Sequence, residues 1–599
     1  MAGLAVLLKA RGHEVDGCDL RSTPRTRWLE ALGIPVAIGH DAGHVEGKDL
    51  VVVTPAVAKD NPEYLAAETR RKCRGEMLAE IVNAAPDSIA VCGSHGKTTT
   101  ATFIAKLLIA LGEPVEWAIG GETGSFPVAG LHSPTPPLVP TSPTPTPPSH
   151  SPHSPVLVVE ADESDGTLAL YRAKTLVVTN CEYDHPDHFK SREDYFACYE
   201  TAKARAGAVI PGEPTNEETA VKVALARGHS SEAIAAVLPQ VTAELPDRRF
   251  QRLEEGVVAD YGHHPTEVAY AIARARQKCR GRLRVLFQPH RYSRTAAFLD
   301  GFATALAGAD EVVICPVYAA FEQPVPNGTA ADLYAVCRAR GLEVRLARSC
   351  EEAWTHAKRV SGPDDLVLVQ GAGDIIEHLD LLAPRRVWVG AETNLVRSDL
   401  DLPVEYVKTS GPAGRPGAGH PLLAAVFPWM AGIPGTLGGW VKMNAGAHGH
   451  AIAEVIARVK VDGRWVSAGD CGFGYRTSAI VGEIQDVEFM PVKGGGSLLS
   501  PSDYLAKRRK FPAHTRGSVF KNPEGDSAGR LLEACGCKGL RVGGAFVWEG
   551  HANVIVAPPE SATASDFLAL AELMRERVRL RFGVLLMPEV RGISAADMV

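Results

Sequence analysis

Ile89-Ala-Val-Cys-Gly-Ser-His-Gly-Lys-Thr-Thr-Thr100 runs from a short apolar stretch into a glycine turn and straight on into a helical pattern. The stretch reads as a strand and the turn as a phosphate cradle. Gly93 and Gly96 let backbone N–H groups face an anion with no Cβ in the way, Lys97 supplies a point charge, and the Thr98 hydroxyl suits Mg2+. Ser94, His95 and Thr99 complete the loop. The general P-loop spacing asks for a glycine five residues before Gly96; Val91 stands there, so this is a compact G-x-x-G-K-T form. Thr99 to Leu111 keeps an apolar helical period and stops at Gly112, which completes strand, loop and helix.

At 599 residues the chain is too long for one core and predicts about four α/β domains. An apolar content of 45% and a charged content of 22% are ordinary for soluble domains. The net charge of -7 offers no general attraction to nucleic acid or to an anionic membrane, so any phosphate must be held by local groups. No apolar run approaches the ~20 residues of a membrane span, and the start, Met1 to Ala10, has no basic segment ahead of its apolar stretch and reads as a helix. The 12 cysteines are scattered, with Cys535-Gly-Cys537 the one close pair, which predicts a reduced cytoplasmic protein without structural zinc.

Residues 1–85 alternate helical patterns with the β-branched runs Glu14–Asp19, Pro35–Ile38 and Asp49–Thr54, the punctuation of a small parallel sheet. A nucleotide-binding sheet of this type opens with a strand and a Gly-x-Gly turn before its first helix. Here the sequence begins at the helix, so the first strand and its turn are expected to be missing. Leu131 to Pro155 holds ten prolines and no charged residue, which predicts an extended, mobile insertion, read as a linker in preference to a proline-motif ligand. Two buried-strand patterns follow, Val156–Val159 leading into Glu160-Ala-Asp-Glu-Ser-Asp-Gly166 and Thr175–Thr179 leading into Asn180-Cys-Glu-Tyr-Asp-His-Pro-Asp-His188. Acidic and imidazole groups at neighbouring strand ends suit the Mg2+ that accompanies a nucleoside triphosphate; polar surface loops are the alternative. From Asp247 a new unit carries Asp260-Tyr-Gly-His-His-Pro-Thr-Glu267 and then Phe287-Gln-Pro-His-Arg-Tyr-Ser-Arg-Thr295, each after an apolar strand. Arg291 and Arg294, three apart, suit a phosphate or a carboxylate, while His263 and His264 read equally as a helix cap or as catalytic groups.

Together Gly93–Thr100, Glu160–Gly166, Asp260–Glu267, Phe287–Thr295 and Gly371-Ala-Gly-Asp374 resemble the UDP-N-acetylmuramate:L-alanine ligase family, over Met1 to about Leu382. The resemblance implies an ATP-dependent ligase of peptidoglycan synthesis. It implies a Rossmann-like UDP-sugar domain over 1–85, a central P-loop ATPase domain over 86–245 with the insertion 131–155, and an α/β C-terminal ligase domain over 246–382. ATP would phosphorylate the muramyl carboxylate, and the alanine amine would attack the acyl phosphate. Lys97 would offset charge on the migrating phosphoryl group, Thr98 and Glu160 would bind one Mg2+, and His185 a second. Tyr261, His263, Arg291 and Arg294 would line the reaction pocket. The segment between Phe189 and Asp247 is shorter than a full central domain needs, and Gly212–Glu217, with Asn216 its polar residue, reads as the remnant that packs against adenine.

From Pro384 the pattern changes. Val387–Val396, with Asn394, and Ala431–Ala447, with Gly435, Thr436, Gly438, Gly439, Asn444, Ala445 and Gly446, are dense in glycine, which predicts backbone brought close to a large flat or phosphorylated ligand. With Gly472-Phe-Gly-Tyr-Arg-Thr-Ser478, Arg516-Gly-Ser-Val-Phe-Lys-Asn-Pro523, Ala528–Glu533, Gly536–Ala545, His551-Ala-Asn553 and Val584–Val590, the set resembles the UDP-N-acetylenolpyruvoylglucosamine reductase family, a flavoenzyme, to about Arg591. The resemblance implies an α+β arrangement, a shortened FAD-binding domain over 384–480 and a substrate-binding and C-terminal domain over 481–599. Hydride would pass from NADPH to FAD and on to the enolpyruvyl carbon. Arg476 would stabilise the resulting enolate, Ser518 would protonate it with Lys521 as helper, and Glu589 would orient the group. Glu392 stands where the flavin loop has its second glycine, and Lys507–Lys510 reads as a solvated basic turn. The leading expectation is therefore a fused, cytoplasmic, two-activity enzyme whose partners are small molecules: UDP-sugars, L-alanine, ATP and NADPH. The alternatives are a ligase with an inactive reductase half, and a UDP-sugar-binding pseudoenzyme or scaffold.

Overall fold

Ser88-Ile-Ala-Val-Cys92 is buried at every position, as a continuous apolar run must be when a parallel sheet is covered on both faces. The computed structural model describes residues 1–599 apart from 55–56, 122–125, 133–153, 187, 244–247, 383–384, 390–395, 397, 409–426, 431–432, 434, 448, 491–501, 504–510 and 593–599. Glu392, Asn394, Lys507–Lys510 and most of the proline-rich insertion therefore lie outside the described residues. Two compact units result, Met1–Glu267 and Val268–Val599.

In the first unit, Ser88–Cys92 is an inner strand of a six-stranded sheet. Its neighbours are Thr175–Val178 and Val156–Glu160, both parallel to it. Ala208–Pro211 closes one edge in parallel, so the shortened stretch after Phe189 still supplies a strand, and Ala129–His132 closes the other edge antiparallel to Val115–Ala118. One face is filled by Phe103, Ile104, Leu107 and Leu108 of the helix Lys97–Ala110, together with Ala220, Val223 and Ala224 of the helix Asn216–Ala226. The other face carries Leu78 and Val82 with Tyr171, Tyr195 and Tyr199.

The opening 85 residues form two separate parallel ladders, Gly17–Asp19 with Val36–Ile38 and Val51–Val53 with Arg71–Cys73. In a doubly wound order 3-2-1-4-5 the opening strand is central. The two ladders are the flanking pairs of that order, and the strand that would join them is not among the described residues. The start of the chain is the helix Ala2–Ala10, whose Leu4 and Leu7 are buried.

The second unit begins with a parallel array in the order Leu366–Gln370, Leu283–Phe287, Glu311–Ile314, Val344–Leu346. Three further β-structures follow. Arg385–Val389 pairs in parallel with Val404–Lys408, Ile456–Val461 sits between Arg464–Ser467 and Ile484–Phe489, and a four-stranded sheet runs Thr515–Ser518, Val554–Val556, Ala545–Val547, Arg541–Val542. The 19-residue helix Ala564–Phe582, opened by a Thr563/Asp566 capping box, packs on the last sheet and on the helix Ala330–Ala339. Among the described residues no helix is long and apolar enough to cross a membrane.

One buried charge cluster fixes the register of the parallel array. Arg284 and Glu311 are direct neighbours across it, Arg284 Nε donating to Glu311 at 2.9 Å, while Arg345 Nε and His356 Nε2 reach the other oxygen at 2.7 and 3.0 Å. Burial alone would raise the Glu311 carboxyl, but His356 and Arg345 hold it down at about 2. Its contribution to stability is thus fully present above about pH 4.5 and is lost as the pH falls toward 2. Glu311→Ala leaves the arginines unpaired in the interior and is expected to cost about 3–5 kcal/mol. Scanning calorimetry of the whole protein should show one transition lowered, with the acid-side loss of stability between these pH values flattened in the variant.

Candidate active site

The strand Ser88–Cys92 ends at Gly93, whose φ of +139° only glycine adopts without strain, and a Cβ there would fall 2.1 Å from Thr179 Oγ1. Thr179 Oγ1 and Asn180 Nδ2 both donate to the His95 carbonyl, at 2.6 and 3.0 Å, and Ser94 Oγ exchanges hydrogen bonds with the Glu182 backbone at 2.6 and 2.7 Å. The glycine loop is thus riveted to the end of the neighbouring strand. Gly96, at φ +77°, opens the helix Lys97–Ala110. A Cβ on Gly96 would lie 2.6 Å from Asn216 Oδ1, which also accepts from Thr100 Oγ1 at 3.1 Å. Asn216, expected beside adenine, therefore sits against the loop and its helix.

Lys97 Nζ donates to the Gly93 carbonyl at 2.6 Å and to Glu163 Oε1 at 2.9 Å. Burial works against its charge, yet Glu163, Asp162 and Glu160 hold its pKa well above the usual lysine value. Asp162, which burial alone would raise, is held down at about 2 by Lys97 and His185. The Thr98 hydroxyl donates to both Glu160 oxygens at 3.0 Å, and Glu160 Oε2 also accepts from Gly120 N at 2.7 Å. Donor atoms of Asp162, Glu163 and His185 lie within 4.8 Å of one another, with His185 Nε2 3.6 Å from Glu163. Glu163 is fully buried, and its Oε2 has no hydrogen-bond partner. An oxygen-rich trio with one imidazole fits a hard divalent cation, and an orphaned carboxylate oxygen is the acceptor such a cation would satisfy. Sequence reasoning named Glu160 and His185; Asp162 and Glu163 sat in the same quoted stretch without being singled out.

The segment Asp260–Glu267 reaches the same loop. The His95 and His264 rings are 4.6 Å apart, Thr266 Oγ1 donates to Glu182 at 2.6 Å, and His95 lies 3.8 Å from Glu267. Glu267 accepts from His263 N at 2.9 Å; burial would raise its carboxyl, but His263, His95 and Arg249 hold it down at about 2. Arg248 and Arg249 stand over the Tyr261 ring at 4.9 and 5.0 Å, and the His263 ring meets it edge-on. Arg291 and Arg294 belong to the second unit, where Arg291 lies 3.6 Å from Glu322 and the buried Arg294 lies 3.1 Å from His290 Nδ1.

A second constellation forms within that unit. Arg476 Nε donates to Glu589 at 3.1 Å and its NH2 to the Gly446 carbonyl at 2.8 Å. Glu589 N donates to the Val519 carbonyl at 2.8 Å and Lys521 N to the Met587 carbonyl at 2.8 Å, which sets the strand carrying Ser518 alongside Glu589. Burial lifts the Glu589 carboxyl above its usual range against the pull of Arg476 and Lys521. Gly446 is required where it stands, since a Cβ would meet the His450 carbonyl at 2.3 Å and Arg476 NH1 at 2.8 Å. Asn444 ties the turn to Gly474 O and Ala453 N at 2.9 and 3.1 Å, with Ala445 between them in sequence. Gly435, at φ +114°, leads into Thr436, which caps the short helix Leu437–Lys442 by accepting from Gly439 N at 3.1 Å; Gly438 is buried in that helix.

Comparison with known proteins matches residues 1–85 to the Mur ligase family catalytic domain, 91–202 to the Mur ligase middle domain, and 248–373 to the Mur ligase glutamate ligase domain. Residues 509–593 match the C-terminal domain of UDP-N-acetylenolpyruvoylglucosamine reductase. The chain is 34% identical over 452 residues to a UDP-N-acetylmuramate--L-alanine ligase of Rubrobacter xylanophilus, covering 63% of this chain and 95% of that protein. An enzyme of the same name from Gloeobacter violaceus is 32% identical, covering 63% and 91%. An alignment of 452 residues that draws on 63% of 599 leaves segments of the Rubrobacter protein without a counterpart here. Among solved structures, MurC of Thermotoga maritima superposes with a TM-score of 0.50 at 22% identity over 63% of this chain and 94% of that one, and the reductase MurB of Thermus caldophilus with 0.29 at 28% over 34% and 84%. The chain belongs to the UDP-N-acetylmuramate--L-alanine ligase family of Mur ligases and carries a UDP-N-acetylenolpyruvoylglucosamine reductase C-terminal domain behind its ligase domains.

Proposed function

We propose that the chain is a bifunctional peptidoglycan-precursor enzyme that reduces UDP-N-acetylenolpyruvoylglucosamine to UDP-N-acetylmuramate and then joins L-alanine to the product by using ATP. The observation that carries the ligase half is the buried Lys97 ammonium beside Glu163, at the mouth of a glycine loop in which a Cβ has no room. In this reading the loop N–H groups and Lys97 bind the ATP phosphates and hold the transferring phosphoryl group in line. Bound Mg2+ would neutralise phosphate charge, and Thr98, Glu160, Asp162, Glu163 and His185 are the donors that fit it. Glu267 keeps His263 and His95 oriented toward the loop.

The reductase half rests on the Arg476–Glu589 pair beside the Ser518 strand. Bound FAD, reduced by NADPH, would supply the hydride. Addition to the enolpyruvyl double bond leaves negative charge on the carboxylate side; Arg476 offsets that charge, Ser518 passes a proton to the adjacent carbon, and Glu589, held more readily neutral by burial, polarises the carboxyl group. Gly435, Thr436, Gly438, Gly439 and the Asn444–Gly446 turn are the described residues assigned to the cofactor. A second reading, ligase activity with a silent reductase half, is favoured by Glu392 in the flavin-loop position.

One preparation assayed for L-alanine-dependent ADP release and for substrate-dependent NADPH oxidation decides between them. Lys97→Ala is expected to lower ligase kcat by about 10³-fold or more while NADPH oxidation stays intact; turnover unchanged in this variant rules out the proposed cradle. Ser518→Ala should cut enolpyruvyl reduction by roughly 10²- to 10⁴-fold with flavin reduction by NADPH preserved, because only the proton transfer is lost. A purified protein with no flavin absorbance, and none after incubation with FAD, decides for the ligase-only reading.

A further inference from the structure

Three groups of His, Cys and acidic donors lie within 4.8 Å among the described residues, and two of them, His95/Glu182/His264 and Asp162/Glu163/His185, belong to the P-loop site. The third, Cys18/His44/Glu63, stands apart from it in the opening 85 residues, and His40 joins it. Cys18 lies on the strand Gly17–Asp19, His40 just beyond its ladder partner Val36–Ile38, His44 in the single turn Ala42–Val45, and Glu63 in the helix Pro62–Ala66. Four chain segments thus converge on one point.

Cys18 Sγ is 2.9 Å from Glu63 Oε2 and 3.5 Å from His40 Nδ1; His40 Nδ1 is 2.8 Å from Glu63 Oε2, and His44 Nδ1 is 2.6 Å from Glu63 Oε1. One carboxylate accepts from a thiol, two imidazoles and the Asp41 N–H at once. Tetrahedral metal bonds of about 2.0–2.3 Å place neighbouring donors roughly 3.3–3.7 Å apart, so a small outward relaxation turns this cluster into a coordination shell. One sulfur, two imidazole nitrogens and one carboxylate form a borderline-soft set that suits zinc and not the all-oxygen preference of Mg2+ or Ca2+. A thiolate and a carboxylate balance a divalent charge with nothing left over. His40-Asp-Ala-Gly-His44 also has the His-x3-His spacing of zinc sites. The sequence expectation of no structural zinc looked for paired cysteines, and this arrangement has only one.

We propose that Cys18, His40, His44 and Glu63 bind one zinc ion, which clips the first ladder to the segment that follows the second. The first ladder supplies Cys18 and His40, and Glu63 follows the second ladder's strand Val51–Val53. The ion would stand in for contacts that a central strand between the two ladders would make.

The test uses the full-length protein, stripped with a chelator and titrated with Co2+ as a spectroscopic probe. One equivalent should give tetrahedral d–d bands and a thiolate-to-cobalt charge-transfer band, both displaced by Zn2+. The charge-transfer band should vanish in Cys18→Ser and should persist in Glu163→Gln, which alters only the P-loop cluster. Cys18→Ser can perturb the ladder, so His44→Ala, at the most open donor with 33% side-chain exposure, repeats the test with circular dichroism confirming the fold. There, cobalt affinity should fall by about tenfold or more. Absence of a thiolate band in the wild type, its survival in Cys18→Ser, or unchanged affinity in a folded His44→Ala would overturn the proposal.

Discussion

A buried ammonium facing a buried carboxylate is the constraint around which the first unit is built. An unpaired lysine at the position of Lys97 would cost several kcal/mol in desolvation, and Glu163, 2.9 Å away and fully buried, offsets it. The same pair keeps the loop open and close to neutral while no triphosphate is bound. A phosphate approaching Lys97 also approaches Glu163, so it must arrive with a cation that satisfies the carboxylate's second oxygen. Selectivity for a metal-complexed triphosphate over a free anion follows from that geometry. The rivets from Thr179, Asn180 and Glu182 serve this arrangement, because a loop free to swing would let Lys97 find solvent instead.

The second unit depends in the same way on one buried acid. Asp566, with no exposed surface, accepts from Tyr334 OH at 2.9 Å, Arg338 Nε at 3.2 Å, Gly544 N at 3.3 Å and Thr563 N at 2.9 Å. Tyr334 and Arg338 lie in the segment matched to the ligase, and Asp566 in the segment matched to the reductase. Its neighbour Ser565 donates to Asp399 at 2.7 Å and accepts from Leu346 N at 3.0 Å. The N-terminus of the helix Ala564–Phe582 is therefore capped by its own chain and bound to the ligase segment through the same carboxylate. The two segments share a core here, which a flexible tether would not provide, and a product released by one half is held at high local concentration for the other.

Much of this was legible from residue order. The loop Gly93–Thr98, the strands on either side and the carboxylates at their ends follow from apolar runs, glycine placement and polar clusters, and the structure puts them in one sheet. What the sequence did not separate is which carboxylate does what. Glu160, Asp162 and Glu163 lie within four residues of each other, and only the twist of the chain after the strand turns Glu160 toward Thr98 and Gly120 and Glu163 toward Lys97. Glu182 and Glu267 were equally hidden, since their roles depend on His95 and His264 arriving from segments more than 150 residues apart. The split of the opening sheet was legible as a missing strand. The Cys18, His40, His44 and Glu63 cluster was not, because no two of its elements share a conventional motif beyond one histidine spacing.

Backbone strain gives an independent pointer to the same places. Twelve described non-glycine residues hold positive φ, and His185 at +56°, Arg291 at +69°, Asn444 at +42° and Arg476 at +56° are among them. Each such residue costs of order 1–3 kcal/mol when its surroundings do not favour the conformation, and it persists only where several contacts over-determine it. Arg476 is so held, by Glu589 on one side and the Gly446 carbonyl on the other, and Asn444 is held from both ends of its amide. His185 has its own N–H fixed at 2.7 Å by Asp184, which turns its ring toward Glu163. In a relaxed extended or helical conformation these side chains would project elsewhere. The chain gives up local comfort where it needs a guanidinium or an imidazole aimed at one point, and four residues chosen from sequence pattern alone fall on that short set of strained positions.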